Sequence, residues 1–536
     1  MLAVVLTLYL LQAMSFPADA DTLAYHFARP AQILAEGRLT LVPKMVDGIT
    51  PLLIQMAYLP ALAIGGERAL MIWAVLTGLA PAAFASIWLR RWLPPSWSLA
   101  AALLILTIPG WVFGASGGQV ETRLALMVLL SAFALSQAIR EPGWRWEVLA
   151  GLAAGFYAGG KTLGLVFAAA AGLVLLWRCH RNIRGILAFG LAAALAGAQW
   201  YAWNWWQTGD PVFPMLFNML HLPDSDIWTK AHNDSFHQLF FRTEAPVKPS
   251  PGLIFSYPFL ATFGLGPSMW EAGRTGLGPV ILILLPLAVM GAWNRRHRLM
   301  HSPALPLAAT IALFYVLWLL SGSSQRIRHL IPMMPAAVMV AMVAAHRASQ
   351  AYGLGKAFAA SVLVALLAQA PALGVFSISY VRDLARGESR DTVLGRSIQG
   401  YPVVQWIHSH LSGSDKIMVS QRQWLYLLKI PYYYGSRLFQ AQIDLRDQGV
   451  DLRQRWQRMR SLGITHIAGD VSSPGSTGVN VWQMLADDLI ANGCGTMVDT
   501  VTWRWAASRT IPGLGGGEER TFIMALTPQT CGYERP

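Results

Sequence analysis

A chain of 536 residues in which 54% are hydrophobic and only 13% charged, with a mean hydropathy of +0.42, carries more apolar side chain than a water-soluble core can hide. That composition excludes an ordinary soluble enzyme and predicts a mainly α polytopic membrane protein. The net charge of +13 gives no support to nucleic-acid binding, because no basic stripe interleaved with aromatic residues runs along a polar face.

The first apolar segment, 1–16, lacks the basic leader of a secretory signal and reads as a membrane span whose cytoplasmic end is clipped. Directly behind it stands Asp19-Ala20-Asp21, two carboxylates at the mouth of a span, where charge is costly and points to binding or catalysis. Read as a helix, the segment sets Asp21, Tyr25 and Arg29 on one face at steps of four. Capping a helix is the ordinary job of an aspartate here, and capping by Asp19 leaves Asp21 for chemistry.

Spans follow at 67–89 and 97–114, and a short outer loop from Ser116 leads to Glu121 at the head of the span 123–139, where the helix dipole favours a carboxylate. The apolar residues between Arg145 and Arg178 must cross and return in two limbs, 146–160 and 162–177, each below the roughly 20 residues of a full crossing. The turn falls at Gly159-Gly160-Lys161, which leaves a lysine at the outer interface in need of a partner.

After the span 185–203, an outer loop over 204–276 holds His221, Asp224, Asp226, His232 and His237 and reads as a lid or acceptor-side element. His232 and His237 do not share a helical face, so no metal site is predicted. Spans at 277–293 and 303–320 precede Gln325-Arg326-Ile327-Arg328-His329. Arg326 and Arg328 lie outside, against the usual charge bias, and a bound anion would explain them. Spans at 330–345 and 357–378 bring the total to about eleven transmembrane helices.

Arg90 and Arg91, Arg140 and Arg145, Arg178 with Arg181 and Arg184, Arg295 with Arg296 and Arg298, and Arg347 with Lys356 fall in alternate loops, which the positive-inside rule assigns to the cytoplasm. The N-terminus is then cytoplasmic and the C-terminal part extracytoplasmic, as expected in a bacterial inner membrane. We divide the chain into a transmembrane catalytic domain, 1–379, and a small α/β extracytoplasmic domain, 380–536. The latter is predicted to run helix 403–411, strand 416–420, helix 448–462, strand 464–467, helix 479–492 and strands 496–503 and 521–526. Its glycine-rich turn, 513–517, lacks the lysine and helix of a nucleotide loop, so a cover over the cavity or a selector of acceptors is expected. Cys494 and Cys531 share this exported domain and are expected to pair, while Cys179 lies in a cytoplasmic loop where thiols stay reduced.

Carboxylates, a lysine and arginines gathered around one outer cavity suit transfer chemistry on a lipid-linked phosphate. Cations hold the phosphate leaving group and a carboxylate deprotonates the acceptor.

Several segments then take on a shared meaning: Asp19-Ala20-Asp21, Asp21-Thr22-Leu23-Ala24-Tyr25-His26, the Glu121 loop, Gly159-Gly160-Lys161-Thr162, 204–214 and Arg328-His329-Leu330-Ile331-Pro332. In order and placement, over most of 1–345, they resemble the GT-C superfamily of glycosyltransferases. The branch is that of protein O-mannosyltransferases, lipid A aminoarabinose transferases and rhizobial lipopolysaccharide sugar transferases. The resemblance implies inverting single displacement from a polyprenyl-phosphate sugar donor to an extracytoplasmic lipid, glycan or protein acceptor. It implies Asp21 as general base, Glu121 as a second carboxylate on the acceptor side, and Lys161 and Arg328 at the donor phosphate. Asp19 and Tyr25 are grouped with Glu121, and Arg326 with the phosphate contacts. A donor with a single phosphate needs little charge neutralisation, so no metal or other cofactor is expected. Ile49-Thr50-Pro51-Leu52 stands where aminoarabinose transferases carry Lys-Pro-Pro-Leu, and Glu121 where related chains often have Asp, so no particular sugar is assigned. An outer-leaflet glycan ligase or polymerase would share this topology and donor. A transporter of a lipid-linked or anionic substrate would instead place its ionisable residues near the bilayer midplane.

Overall fold

The computed structural model describes residues 1–536 apart from 46, 47, 142, 274, 298–301, 303, 447–450, 472–479, 507–515, 535 and 536. Arg298, Gly513 and Gly515 therefore lie outside the described residues. The chain forms two compact units: Met1–Ser15, Thr50–Trp206 and Phe240–Arg382 make the first, and Phe16–Ile49, Gln207–Leu239 and Asp383–Pro536 the second. A single cut near 380 thus does not follow the contacts. The second unit also takes in the first outer loop and part of the 204–276 loop.

The first unit is a bundle of apolar helices. Leu53–Leu89, Ile183–Thr208, the run Ile327–Ala351 and Gly355–Ala385 are long and apolar enough to cross a membrane. Pro95–Leu106 and Pro109–Ser116, bent by 73°, make a fifth crossing if taken as one span. Pro109 causes that bend, because a residue preceding proline is driven out of the helical region, and Ile108 is extended at φ −57°, ψ 127°. The count of about eleven is therefore not reached by length and composition. Leu163–Cys179, at 17 residues, and Leu305–Leu320, at 16, are apolar but reach only about 25 Å at 1.5 Å per residue, against the roughly 30 Å of a hydrocarbon core. Glu121–Ala138 opens on two charged residues, Glu121 and Arg123.

The bundle's outer surface is apolar, as hydrocarbon requires. Leu187, Leu191 and Leu195 form a stripe along Ile183–Thr208 and are 67%, 64% and 73% exposed. With the long apolar helices, this makes the chain an integral membrane protein. Hydrogen bonds join polar groups inside: the Tyr9 hydroxyl donates to the Leu106 carbonyl at 2.8 Å and the Gln12 amide to the Ser377 hydroxyl at 2.7 Å. Gly151, Gly155 and Gly159 sit one turn apart on Arg145–Gly160 and bring its backbone against Ile183–Thr208. A Cβ at Gly151 or Gly155 would strike the carbonyl of Phe189 or Ala193. Small residues in this spacing are how membrane helices approach closely.

The second unit centres on a five-stranded sheet ordered β2-β1-β3-β5-β4, with β1 Ile417–Val419, β2 Tyr432–Tyr434, β3 His466–Asp470, β4 Gly495–Ala506 and β5 Gly516–Leu526. β1 runs parallel to β2 and β3, while β5 is antiparallel to β3 and β4. Side chains alternate across it. Ile417, Val419, Ala468 and Ile523 face a core with Val403 and Ile407 from helix Tyr401–His410. Met418, Ile467 and Met524 face the other, with Trp456 and Leu485 from helices Leu452–Ser461 and Val481–Ala491. Leu23 and Ala28 of the first outer loop pack into the former core, and the Leu23 carbonyl accepts from the Tyr426 N–H at 3.0 Å. That packing fixes the aspartate segment to the sheet.

Candidate functional site

The aspartates take separate roles. After Asp19 comes a π-helical turn, Thr22–His26, then the α-helix Ala28–Glu36. The Asp19 carboxylate accepts from the Thr22 N–H at 2.9 Å and from its hydroxyl at 2.8 Å, so Asp19 does the capping. Asp21 is buried, 4% exposed, and Arg422 donates to its Oδ1 at 2.6 Å. Arg422 opens a 3-10 turn, Arg422–Trp424, whose Trp424 is anchored in the core and donates to the Gln399 carbonyl at 2.9 Å. A rigid turn thus carries the guanidinium to the carboxylate and offsets the cost of burying its charge.

Arg29 does not join Asp21. Its guanidinium donates to Gln32 Oε1 at 2.6 Å and to the Thr40 carbonyl at 2.9 Å, because the π turn breaks the step-of-four register on which their shared face depended. Tyr25 is half-buried, its ring 3.9 Å from that of His26.

In the first unit, the tight turn predicted at Gly159-Gly160-Lys161 is present: Arg145–Gly160 ends there and Leu163–Cys179 begins two residues later. Lys161 Nζ donates to Glu121 Oε1 at 2.5 Å. Glu121 occupies the first turn of its helix, where the N-terminal dipole adds to the lysine's attraction. Arg123, buried two residues further on, donates to the carbonyls of Gly114 at 2.7 Å and Gly117 at 2.8 Å, and so holds the Glu121 loop to the preceding helix. Arg328 lies half-buried in the 3-10 helix Ile327–Met333, which packs against Glu121–Ala138. Pro332, followed by Pro335, withholds N–H donors there and keeps this entry from being α-helical.

Arg326 differs from Arg328. It forks onto Glu244 at 2.8 and 2.9 Å and reaches Glu271 at 2.6 Å. Two carboxylates meet its one charge, so Arg326 ties three loop segments together instead of presenting an open anion site. Burial pushes the Glu244 carboxyl up, but the Arg326 hydrogen bonds and charge, the Ser324 hydroxyl and the Arg328 charge outweigh it and leave the group below its ordinary value.

The 207–239 segment carries its polar residues structurally. Asp210 accepts from the N–H groups of Val212 and Leu216, each at 2.8 Å, and His232 Nε2 lies 3.2 Å from the Leu438 carbonyl. Among the described residues no group of three His, Cys, Asp or Glu side chains is placed to hold a metal ion. Cys494 and Cys531 form a disulfide, and Cys179 is a free thiol.

The residues singled out in the sequence thus fall in two sets: Asp19, Asp21 and Tyr25 in the second unit, Glu121, Lys161, Arg326 and Arg328 in the first. Sequence reasoning missed Arg422, Glu244 and Glu271. Arg422 stands 401 positions from its partner, and no local pattern signals such a pairing.

No protein-family model matches the chain, and no curated protein matches it. Solved structures do. ArnT from Cupriavidus metallidurans bound to undecaprenyl phosphate is 13% identical, with a TM-score of 0.52 over 99% of this chain and 98% of that one. The same protein in the apo state is 15% identical, with a TM-score of 0.53 over 98% and 96%. The Archaeoglobus fulgidus oligosaccharyltransferase in its apo form is 12% identical, with a TM-score of 0.45 over 88% of this chain and 69% of that one. At such identities the ArnT likeness is one of fold: along nearly its whole length the chain shares the fold of that protein.

Proposed function

We propose that this chain is a membrane glycosyltransferase that moves a sugar from a polyprenyl-phosphate carrier to an extracytoplasmic acceptor. The observation that carries the reading is the end-to-end likeness to a protein of matching length solved with undecaprenyl phosphate bound. In the proposed reaction Asp21 takes the proton from an acceptor hydroxyl or amine. The freed electron pair bonds to the anomeric carbon on the face opposite the phosphate, and the carbon–oxygen bond to the phosphate breaks with its electrons on the leaving oxygen. The configuration inverts in one displacement. Lys161 and Arg328 stabilise the charge growing on the phosphate. Glu121, 2.5 Å from Lys161, orients that ammonium and serves as the second carboxylate. Asp19 positions Asp21 by capping its turn, and Arg326 steadies the segment that carries Arg328. Metal takes no part in this scheme. The C-terminal domain lies outside the cytoplasm, in keeping with its disulfide.

The test is transfer by purified protein from a polyprenyl-phosphate sugar, with released polyprenyl phosphate as the readout. Asp21→Asn should cut transfer by about 10²-fold or more, the usual scale of general-base loss. Lys161→Ala and Arg328→Ala should weaken use of the donor more than use of the acceptor. Full activity in the Asn variant removes Asp21 as the base.

A further inference from the structure

The helix bundle carries a cluster of positive charge that the transfer scheme does not use. Helix Val280–Asn294 ends in Arg295 and Arg296, Met334–Ala351 carries Arg347 near its end, and Lys356 opens Gly355–Ala385. The first two helices approach closely, for a Cβ at Gly291 would strike the Ala344 carbonyl. One turn beyond that contact, Arg295 and the half-buried Arg347 come near enough for the charge of one to act on the other.

No carboxylate answers this charge. From residue 272 to residue 382 the chain has no aspartate or glutamate, and that holds for 298–301 and 303, which lie outside the described residues. The carboxylates of the first unit are Glu67, Glu121, Glu141, Glu147, Glu244 and Glu271, all of them described. Among the described residues none of these pairs with Arg295, Arg296 or Arg347; Lys161 takes Glu121, and Arg326 takes Glu244 and Glu271. The negative C-terminal ends of the two helices favour a cation at each. They do not account for two arginines drawn together, because like charges repel and Arg347 has given up part of its water.

The surface beside the cluster tells what kind of anion would meet it. Leu285, Val289 and Trp293 stand at steps of four on Val280–Asn294 and form an exposed apolar stripe. The stripe ends under Arg296, whose guanidinium lies over the Trp293 ring, 5.0 Å from its centroid. Tryptophan and arginine at the end of a lipid-facing stripe mark the headgroup level of a bilayer. One helix thus offers hydrocarbon contact along its length and guanidinium donors at its end, the order in which a phospholipid presents acyl chain and phosphate. A free anion would meet the donors and leave the stripe unused.

We infer that an acidic phospholipid binds here, its phosphate held by Arg295, Arg296 and Arg347 and an acyl chain laid along Leu285, Val289 and Trp293. This binding is independent of the transferase reading.

The test places the full-length protein in nanodiscs of equal parts phosphatidylglycerol and phosphatidylcholine and reads, by native mass spectrometry, which lipid stays bound on release. Phosphatidylglycerol should be enriched about tenfold or more over phosphatidylcholine, and Arg295→Gln and Arg347→Gln should each cut that enrichment about fivefold. A control, Arg181→Gln with Arg184→Gln, removes two exposed arginines from another loop and should leave the enrichment as it was. Both cluster variants should melt no lower than the parent in phosphatidylcholine alone, because losing either arginine relieves the repulsion between them. If Arg347→Gln melts lower or does not fold, the exposed Arg295 carries the test. Equal retention of the two lipids, undiminished enrichment in the Arg295 variant, or an equal loss in the Arg181 and Arg184 control overturns the inference. So does displacement of bound phosphatidylglycerol by millimolar inorganic phosphate, which would make the site one for a free anion.

Discussion

Removing the Arg422 guanidinium would leave the Asp21 carboxylate buried without its 2.6 Å partner, whereas Asp21→Asn keeps the shape and removes the charge. The two substitutions therefore separate stability from chemistry. Arg422→Leu should lower stability by about 1–3 kcal/mol, less than the roughly 3–5 kcal/mol typical of a fully buried pair. The discount applies because Arg422 keeps 32% of its side chain exposed. Thermal unfolding in detergent measures this, and Arg422→Lys should recover part of the loss. A second residue makes a pH prediction. Burial pushes the Asp470 carboxyl above its ordinary value, although hydrogen bonds from Ser420 and Gln421 pull it down. A carboxyl whose folded value is raised holds its proton more tightly when folded. Stability is then lost as pH climbs from the ordinary carboxylate value through the raised one, and the loss persists above it. Asp470→Asn escapes that loss, with the Gln421 amide turning to present its oxygen. The variant should melt higher than the parent at neutral pH and no higher in acid; the same difference at both would refute the assignment.

At the level of elements, the glycine contact between Arg145–Gly160 and Ile183–Thr208 carries the sharpest expectation. Gly155→Leu drives a side chain into the Ala193 backbone and should cost about 1–3 kcal/mol, or more if the helices cannot part, as read by thermal unfolding. The short hairpin that this contact supports was legible in the sequence, because arginines at both ends and apolar limbs of insufficient length leave only Gly159-Gly160-Lys161 for the turn. Much of the sheet domain was legible from local signals too: a short apolar run at 417–419 bounded by polar residues and amphipathic spacing in 403–411, and β1 and the helix Tyr401–His410 stand there. β2 was not, since Tyr432–Tyr434 is a three-residue edge strand whose pairing with β1 is a tertiary choice. The count of about eleven spans was read from hydropathy, whereas length and composition of the described helices give four crossings, or five with the pair bent at Ile108-Pro109. In the candidate site, residue types were readable but partners were not. Asp19 as a cap follows from its neighbours, whereas Arg422 beside Asp21 and the two glutamates on Arg326 come from distant sequence.

For the molecule as a whole, the disulfide ties Cys494 to Cys531 across 37 positions, and a loop of that size is worth about 3–4 kcal/mol in chain entropy. Cys494→Ser should destabilise the C-terminal unit by that order. In the intact protein a thiol reagent should label Cys179 alone until a reductant is added; labelling of all three cysteines without reductant would place the domain in a reducing compartment. The attachment of the first outer loop to the sheet also sets an order of events during synthesis. Asp21 leaves the ribosome near the start, and Arg422, the Tyr426 N–H and the core that receives Leu23 come some 401 residues later. At roughly 5–20 residues per second, that is about 20–80 s in which the segment carrying the aspartates has nothing to fold against. A nascent chain halted before residue 416 would keep most of its helices and still lack the seat for its aspartates. Whether the aspartate segment finds its seat is thus decided by the last quarter of the chain.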